Sequence, residues 1–225
     1  MGKLNVLELF AGTKSIGKAA LELGMEVFSS DIDPAFGTDY CVDILDFDAD
    51  RVPWIPDVIH ASPPCTTFSI ASFGHHWTGG RKAYVPKTEE AKTGMAIVRK
   101  TCELIRKFRP KFFYIENPVG MLRKLGIIER ELIGKGAFVG RNTVTYCRYG
   151  DTRMKPTDVW TNNGRWEPRP MCRNGDSCHE AAPRGSKTGT QGLSNARERS
   201  VIPHELCLEM LSACMEESDA KRFLF

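Results

Sequence analysis

Leu4-Asn5-Val6-Leu7-Glu8-Leu9-Phe10-Ala11-Gly12-Thr13 is a short apolar run that ends on a glycine turn. Such a run reads as a buried strand, and Ser15 to Leu23, stopped by Gly24, as a helix. Met25 to Ser30 is then a second strand, closing on Asp31-Ile32-Asp33, and Pro34 suits the first position of a short helix. A strand-to-helix turn offers backbone amides and a helix N-terminus to a ligand. Asp31, about twenty residues on, stands where an acid binds both hydroxyls of a ribose. Asp43-Ile44 would end the third strand, where an Asp can accept from an adenine amino group. The turn is neither a phosphate loop, since no Gly precedes Lys14, nor a dinucleotide fingerprint, since Gly12 and Gly17 do not make G-x-G-x-x-G. An ordinary strand-to-helix turn is the plain alternative.

Outward from that unit the alternation continues. Asp57 to Ala61 reads as a fourth strand, and residues 69–86, with Gly74, Gly79, Gly80 and Pro86, as a loop. Thr88 caps a helix with Glu89 and Glu90 in its first turn; Ile97, Thr101, Leu104, Ile105 and Phe108 share a face, and Pro110 ends it. Phe112 to Ile115 is a fifth strand, closing on Glu116-Asn117-Pro118. Asn142 to Tyr146 and Asp158 to Thr161 predict two more strands, a candidate hairpin. Residues 162–195, rich in Gly, Pro, Asn, Arg and Ser, predict irregular structure. Pro203 opens an amphipathic helix with Leu206, Met210, Leu211 and Cys214 on one side. The pattern is that of an α/β fold with a mostly parallel, doubly wound sheet, and no repeat interrupts it.

Ser62-Pro63-Pro64-Cys65-Thr66-Thr67-Phe68-Ser69 follows the fourth strand. Two prolines hold the chain extended and donate no hydrogen bonds, so Cys65 is presented on a stiff turn at a strand end. A thiol so placed is a candidate nucleophile; a buried, unreactive cysteine is the alternative.

At 225 residues, 41% hydrophobic and 26% charged, the chain suits one globular domain with a small insert. Net charge is +3, but residues 141–200 hold 11 Lys/Arg against 6 Asp/Glu, which suits an anionic partner such as nucleic acid or simply a solvated surface. The start lacks the apolar core of a signal peptide, Val6 stands where myristoylation needs Ser or Thr, and no run approaches the roughly 18 apolar residues of a membrane span. Eight scattered cysteines read as reduced thiols, a nucleophile or metal ligands rather than a disulfide framework.

Taken in order, these segments resemble the cytosine-C5 DNA methyltransferase family, in a compact bacterial or phage form. Leu9-Phe10-Ala11-Gly12 is similar to its first motif, Asp31 to its second-strand acid and Asp43-Ile44 to its adenine-contacting pair. Pro64-Cys65 with Phe68-Ser69 resembles its nucleophile motif, and Glu116-Asn117-Pro118 its Glu-Asn-Val motif. Arg199-Ser200-Val201-Ile202-Pro203 resembles the closing motif that folds back against the cofactor. The resemblance implies a Rossmann-like class I S-adenosylmethionine-dependent methyltransferase with a mostly parallel seven-stranded sheet. Residues 1–161 and 196–225 would form the catalytic domain, and 162–195 a short target-recognition insert. Cofactor contacts would fall to Phe10, Ala11, Gly12, Thr13, Asp31, Ile32, Asp43, Ile44 and Pro64. Cys65 would add to carbon 6 of a flipped cytosine, Glu116 would bond N3, and Asn117 would hold the loop. The implied setting is a monomer on double-stranded DNA, in the cytoplasm of a bacterial host or phage-infected cell, with or without a paired restriction enzyme. An RNA cytosine-5 methyltransferase, or a non-catalytic DNA-binding protein of the same fold, is the alternative; intact Cys65 and Glu116 argue against the latter.

The chain departs from the family pattern in places. Lys14 and Ser15 replace further glycines, and Thr66 a glutamine. Lys155 takes the place of the arginine that contacts the flipped base, with Arg153 the other candidate donor; contact with phosphate alone is the alternative for both. The insert is far shorter than usual. Its Cys172, Cys178 and His179, with Cys147 as fourth ligand, form a candidate structural zinc site. The alternative is a loop that orders on DNA through Arg165, Trp166, Arg169, Arg173, Arg184 and Lys187, with 185–192 as a backbone clamp. Arg81 and Lys82, after His75-His76-Trp77, fall in a loop that would close over the base with Gly79-Gly80 as hinge, or in a merely solvated one.

Overall fold

The computed structural model describes residues 3–133, 136, 138–173, 175–181, 193 and 195–215. In chain order the strands are β1 (Asn5–Leu9), β2 (Glu26–Asp31), β3 (Tyr40–Cys41), β4 (Val58–Ala61), β5 (Trp77–Thr78), β6 (Val85–Pro86), β7 (Phe112–Pro118), β8 (Gly140–Thr145) and β9 (Pro156–Thr161). Seven of them form one sheet in the order β3-β2-β1-β4-β7-β9-β8, and β5 pairs with β6 alone. The pairings from β3 to β7 are parallel; β9 runs antiparallel to both β7 and β8. The expected hairpin is therefore present, with its second strand wedged between β7 and β8.

The helices are α1 (Ser15–Glu22), α2 (Phe73–His76), α3 (Gly80–Ala83), α4 (Glu89–Phe108), α5 (Leu122–Leu125), α6 (Ile127–Leu132), α7 (Ala196–Ser200) and α8 (His204–Ser212). Strands flanked on both faces need apolar residues on both, and Val6, Leu7, Leu9, Val58 and Ile59 are fully buried. Leu7, Ile59, Phe113 and Ile115 pack with α4 and α6 on one face. Val6, Val58 and Tyr114 pack with α1 and α8 on the other, where Leu206, Met210, Leu211 and Cys214 all point inward. Thr88 Oγ1 caps α4 by accepting from Ala91 N at 3.2 Å, and left-handed Arg109 before Pro110 ends it.

Residues 69–86 are more ordered than a loop: α2, the β5–β6 ribbon and α3 fill them. Buried Trp77 anchors the segment by donating Nε1 to the Thr67 carbonyl at 2.7 Å. The Gly79-Gly80 turn has both φ values positive, which glycine takes without strain. Helices α5 and α6 were not foreseen, being too short to show a period.

Candidate active site

β4 and β7 are parallel neighbours, so whatever follows Ala61 meets whatever ends β7. Cys65, exposed, caps a helical turn over Thr66–Phe68. Its segment is held from three sides. Asn117, fully buried on β7, donates Nδ2 to the Pro63 carbonyl at 2.8 Å. Met121 N donates to the Phe68 carbonyl at 2.7 Å. Gly94 and Gly120 lie so close that a Cβ would stand 2.6 Å from Thr67 Oγ1 and 2.3 Å from Phe68 O, respectively. Neither approach was legible in the sequence, because each joins residues tens of positions apart.

Glu116, on the same strand as Asn117, is 5% exposed and accepts from the Tyr146 hydroxyl at 2.8 Å. Burial and the facing carboxylate push the Tyr146 phenol well above its usual range, so it acts as a donor. Lys155 Nζ lies 4.6 Å from the Tyr146 ring centre and donates to the Arg199 carbonyl at 3.1 Å. Burial, and secondly the Glu116 charge, hold the Cys65 thiol up, while Lys155 and then Arg199 pull it down. Solvent reaches one side of this thiol while protein crowds the others. Cys65, Glu116, Tyr146 and Lys155 thus share one electrostatic site. Tyr146 was missed as a functional residue; a buried phenol beside a strand of polar register was its only signal.

Arg153 is 3% exposed and commits its guanidinium to Asp151 and to the carbonyls of Glu198, Arg199 and Val201. It fastens the closing segment rather than reaching toward the base. That segment returns to the first crossover, as Ile202 N donates to Ser15 Oγ at 3.2 Å.

The crossover takes an unusual path: Phe10, Gly12 and Lys14 all have positive φ. Ala11 is buried with its amide on the Ser30 carbonyl, and Thr13 Oγ1 lies 3.1 Å from Ser15 Oγ. Asp31 accepts from the amides of Gly12 and Asp33, and Asp43 from Leu45 N. Ile32 is 63% exposed at the tip of β2, an apolar platform beside two acceptor-only carboxylates. This set fits a nucleoside cofactor: Asp31 suits ribose hydroxyls and Asp43 an amino group. The Ile44 side chain packs into the core, which leaves its backbone for a cofactor contact. Pro64 is exposed beside Cys65. Glu8 had no assigned role, yet its buried carboxylate accepts from Ile16 N and Gly17 N at 3.0 and 2.9 Å, capping α1 from below. Burial pushes it up to about 7 against the pull of those amides.

The insert's basic and aromatic residues make contacts that its sequence does not suggest. Arg165 donates to the Cys214 and Met215 carbonyls and stacks on Phe112; Trp166 is buried and donates to Glu209 at 3.0 Å; Arg169 pairs with Glu205 and Glu209 over the Tyr149 ring. These contacts tie the insert to α8 while Arg165 and Arg169 stay exposed. Arg173 is exposed and its side chain carries no such ties to α8. Arg184, Lys187 and 185–192 lie outside the described residues, as do the side chains of Arg81 and Lys82. Cys147, Cys172, Cys178 and His179 do converge, their ligand atoms all within 4.8 Å of one another.

Residues 4–126 match the model of the C-5 cytosine-specific DNA methylase family. The chain belongs to that family. Members of it use S-adenosylmethionine, which the crossover suits. A relative from Frog virus 3 (isolate Goorha), named "Probable DNA (cytosine-5)-methyltransferase", is 29% identical over 94% of this chain and 100% of its own length. Among solved structures, a prophage-encoded E. coli protein described as a DNA modification methyltransferase superposes with a TM-score of 0.55 at 15% identity, over 76% of this chain and 52% of its own. Entamoeba histolytica methyltransferase EhMeth gives 0.53 at 13%, over 78% of this chain and 58% of its own. Those identities speak for the fold, a Rossmann-like class I methyltransferase, and this family member spans little more than half the length of either structure.

Proposed function

We propose that the chain methylates carbon 5 of cytosine in double-stranded DNA, through a covalent bond from Cys65 to carbon 6. What carries the reading is the pair Glu116-Asn117: one strand end holds a carboxyl facing the thiol site and an amide gripping the turn that presents the thiol. Carbon 5 of cytosine is too weak a nucleophile until a thiolate adds at carbon 6 and makes it enamine-like. Glu116 favours that addition by presenting a carboxyl proton to N3, and Tyr146 keeps the carboxyl aimed. Lys155 favours the thiolate and donates to the base O2 carbonyl in place of an arginine; Arg153 positions the closing segment. S-adenosylmethionine, when bound, supplies the sulfonium methyl. Asp31 and Ile32 at β2, Asp43 and the turn from Phe10 to Thr13 would hold it, with Pro64 at its edge. Loss of the carbon 5 proton then expels Cys65.

In this reading residues 1–161 and 196–225 form the catalytic domain and 162–195 the target-recognition insert, with Arg81, Lys82, Arg184 and Lys187 as DNA contacts. The protein works as a monomer in the cytoplasm of a bacterial host or phage-infected cell. Among the described residues no helix is long and apolar enough to cross a membrane. The test is incubation with labelled S-adenosylmethionine and duplex DNA or RNA, followed by digestion to nucleosides. Label in 5-methyldeoxycytidine is expected. Label only in RNA, or none with DNA of any sequence, overturns the reading. DNA carrying 5-fluorocytosine should trap a covalent adduct that Cys65→Ala cannot form.

A further inference from the structure

We propose that Cys147, Cys172, Cys178 and His179 bind one structural Zn²⁺ that fastens the insert to the catalytic end of the sheet. Cys178 Sγ lies 3.6 Å from Cys147 Sγ and 3.4 Å from Cys172 Sγ; His179 Nδ1 lies 3.2 Å from Cys172 Sγ and 3.9 Å from Cys178 Sγ. Tetrahedral zinc, with Zn–S near 2.3 Å and Zn–N near 2.0 Å, requires edges of about 3.8 Å between sulfurs and about 3.5 Å from sulfur to nitrogen. Four of the six edges already stand close to that spacing, and the other two lie within 4.8 Å. A disulfide does not account for them, since an S–S bond is about 2.05 Å and three thiols cannot all pair.

The ligands come from two segments, and among the described residues no hydrophobic cluster includes a side chain between 167 and 181. Between residues 167 and 181, Cys172 is the only buried apolar side chain among the described residues. A segment without a core needs another source of folding energy, which a structural metal provides. Three thiolates, a neutral imidazole and Zn²⁺ leave one negative charge. Arg148, next to Cys147, lies beside it, with its Nε buried and unpartnered and its Nη2 2.8 Å from Asp176.

Position gives the site its purpose. β9 ends at the opposite end of the strands from Cys65, so the insert must climb back. It arrives where Cys172 N donates to Thr145 Oγ1 at 2.8 Å and Glu180 N to the Thr152 carbonyl at 2.9 Å. Cys147 directly follows Tyr146, the residue that holds Glu116. The metal would therefore fix the insert and the carboxyl donor together.

Protein purified under reducing conditions should contain one equivalent of zinc, released by a thiol-blocking mercurial. Cobalt in its place should show thiolate charge-transfer and tetrahedral d–d absorption. Cys178→Ser should weaken zinc binding by about tenfold or more, Cys178→His should retain it, and Cys41→Ser should leave it unchanged. Stripping the metal should lower the melting temperature reversibly. Wild-type protein that neither contains zinc nor takes it up when supplied overturns the proposal, as does cobalt bound without thiolate bands. These readouts need no methyl transfer, so they stand or fall apart from the proposed activity; if Cys178→Ser does not fold, the wild-type measurements still decide.

Discussion

Tyr146 and Glu116 meet across the sheet, with the phenol hydroxyl 2.8 Å from Oε1. The bond leaves the other carboxyl oxygen to face a base. Tyr146→Phe keeps the ring under Lys155 and removes only the donor. A buried hydrogen-bonding group left unpaired costs about 1–3 kcal/mol, so kcat should fall roughly 5- to 150-fold with the fold retained. Single-turnover methyl transfer measures this; an unchanged rate would remove Tyr146 from the mechanism.

Lys155 is the cation nearest in effect to the thiol. Lys155→Gln removes a charge that lowers the Cys65 pKa, so that pKa should climb further above its usual value. The variant should be slower at neutral pH and recover as pH rises, shifting the rising limb of kcat against pH toward alkali. A profile that falls in height without moving would assign Lys155 to binding alone.

The close approaches at Gly120 and Gly94 make strong claims about stability. A Cβ on residue 120 would sit 2.3 Å from a backbone oxygen, which cannot swing aside as a side chain can. Gly120→Ala should destabilise by about 1–3 kcal/mol and displace the Cys65 turn. Gly94→Ala meets a threonine hydroxyl and should cost less. Urea denaturation of both variants orders them.

Arg123 and Asp158 form an ion pair in which the carboxylate is wholly buried and also accepts from Thr143 Oγ1 at 2.8 Å. Arg123→Met strands that charge and should cost about 3–5 kcal/mol. Adding Asp158→Asn should restore a good part, and a double-mutant cycle by denaturation reads the coupling. Additive losses would mean the pair is not coupled.

Glu8 and His60 face each other across β1 and β4 and oppose one another in pH. Glu8 is pushed up to about 7 from an ordinary 4.5, so its contribution to stability is full below pH 4.5 and lost as pH rises through 7. His60, wholly buried with both ring nitrogens unpartnered, is pushed down to about 3 from 6.5. Its contribution is full above pH 6.5 and lost as pH falls toward 3. Stability should form a dome; Glu8→Gln should flatten the alkaline limb and His60→Leu the acid one, each followed by melting temperature across pH.

The strands that lead to Asp31, Cys65 and Glu116 could be read from short apolar runs because a central parallel strand has no polar face to blur its pattern. The order of those strands, and hence the meeting of Cys65 with Glu116, came through family resemblance and not from periodicity. Composition could not show that Arg165, Trp166 and Arg169 stack on α8, since basic and aromatic residues alternate alike in a DNA-facing arm and in such a strap. Glu8 looked like an incidental acid in a strand because the amides it serves lie eight and nine residues away. That the Ile44 side chain turns into the core was not legible, because position in a motif says nothing of which way a side chain turns.

The reversed direction of β9 also constrains how the insert can change. Because β9 carries the chain away from the reaction centre, the first part of the insert is a strut roughly 20 Å long, the span of a six-residue strand, with both ends tied down. Lengthening or shortening it would drag on Tyr146. A graft of foreign recognition sequence should therefore be tolerated when its joints fall after His179 and before Asn195, and should fail when the first joint falls at Asn162.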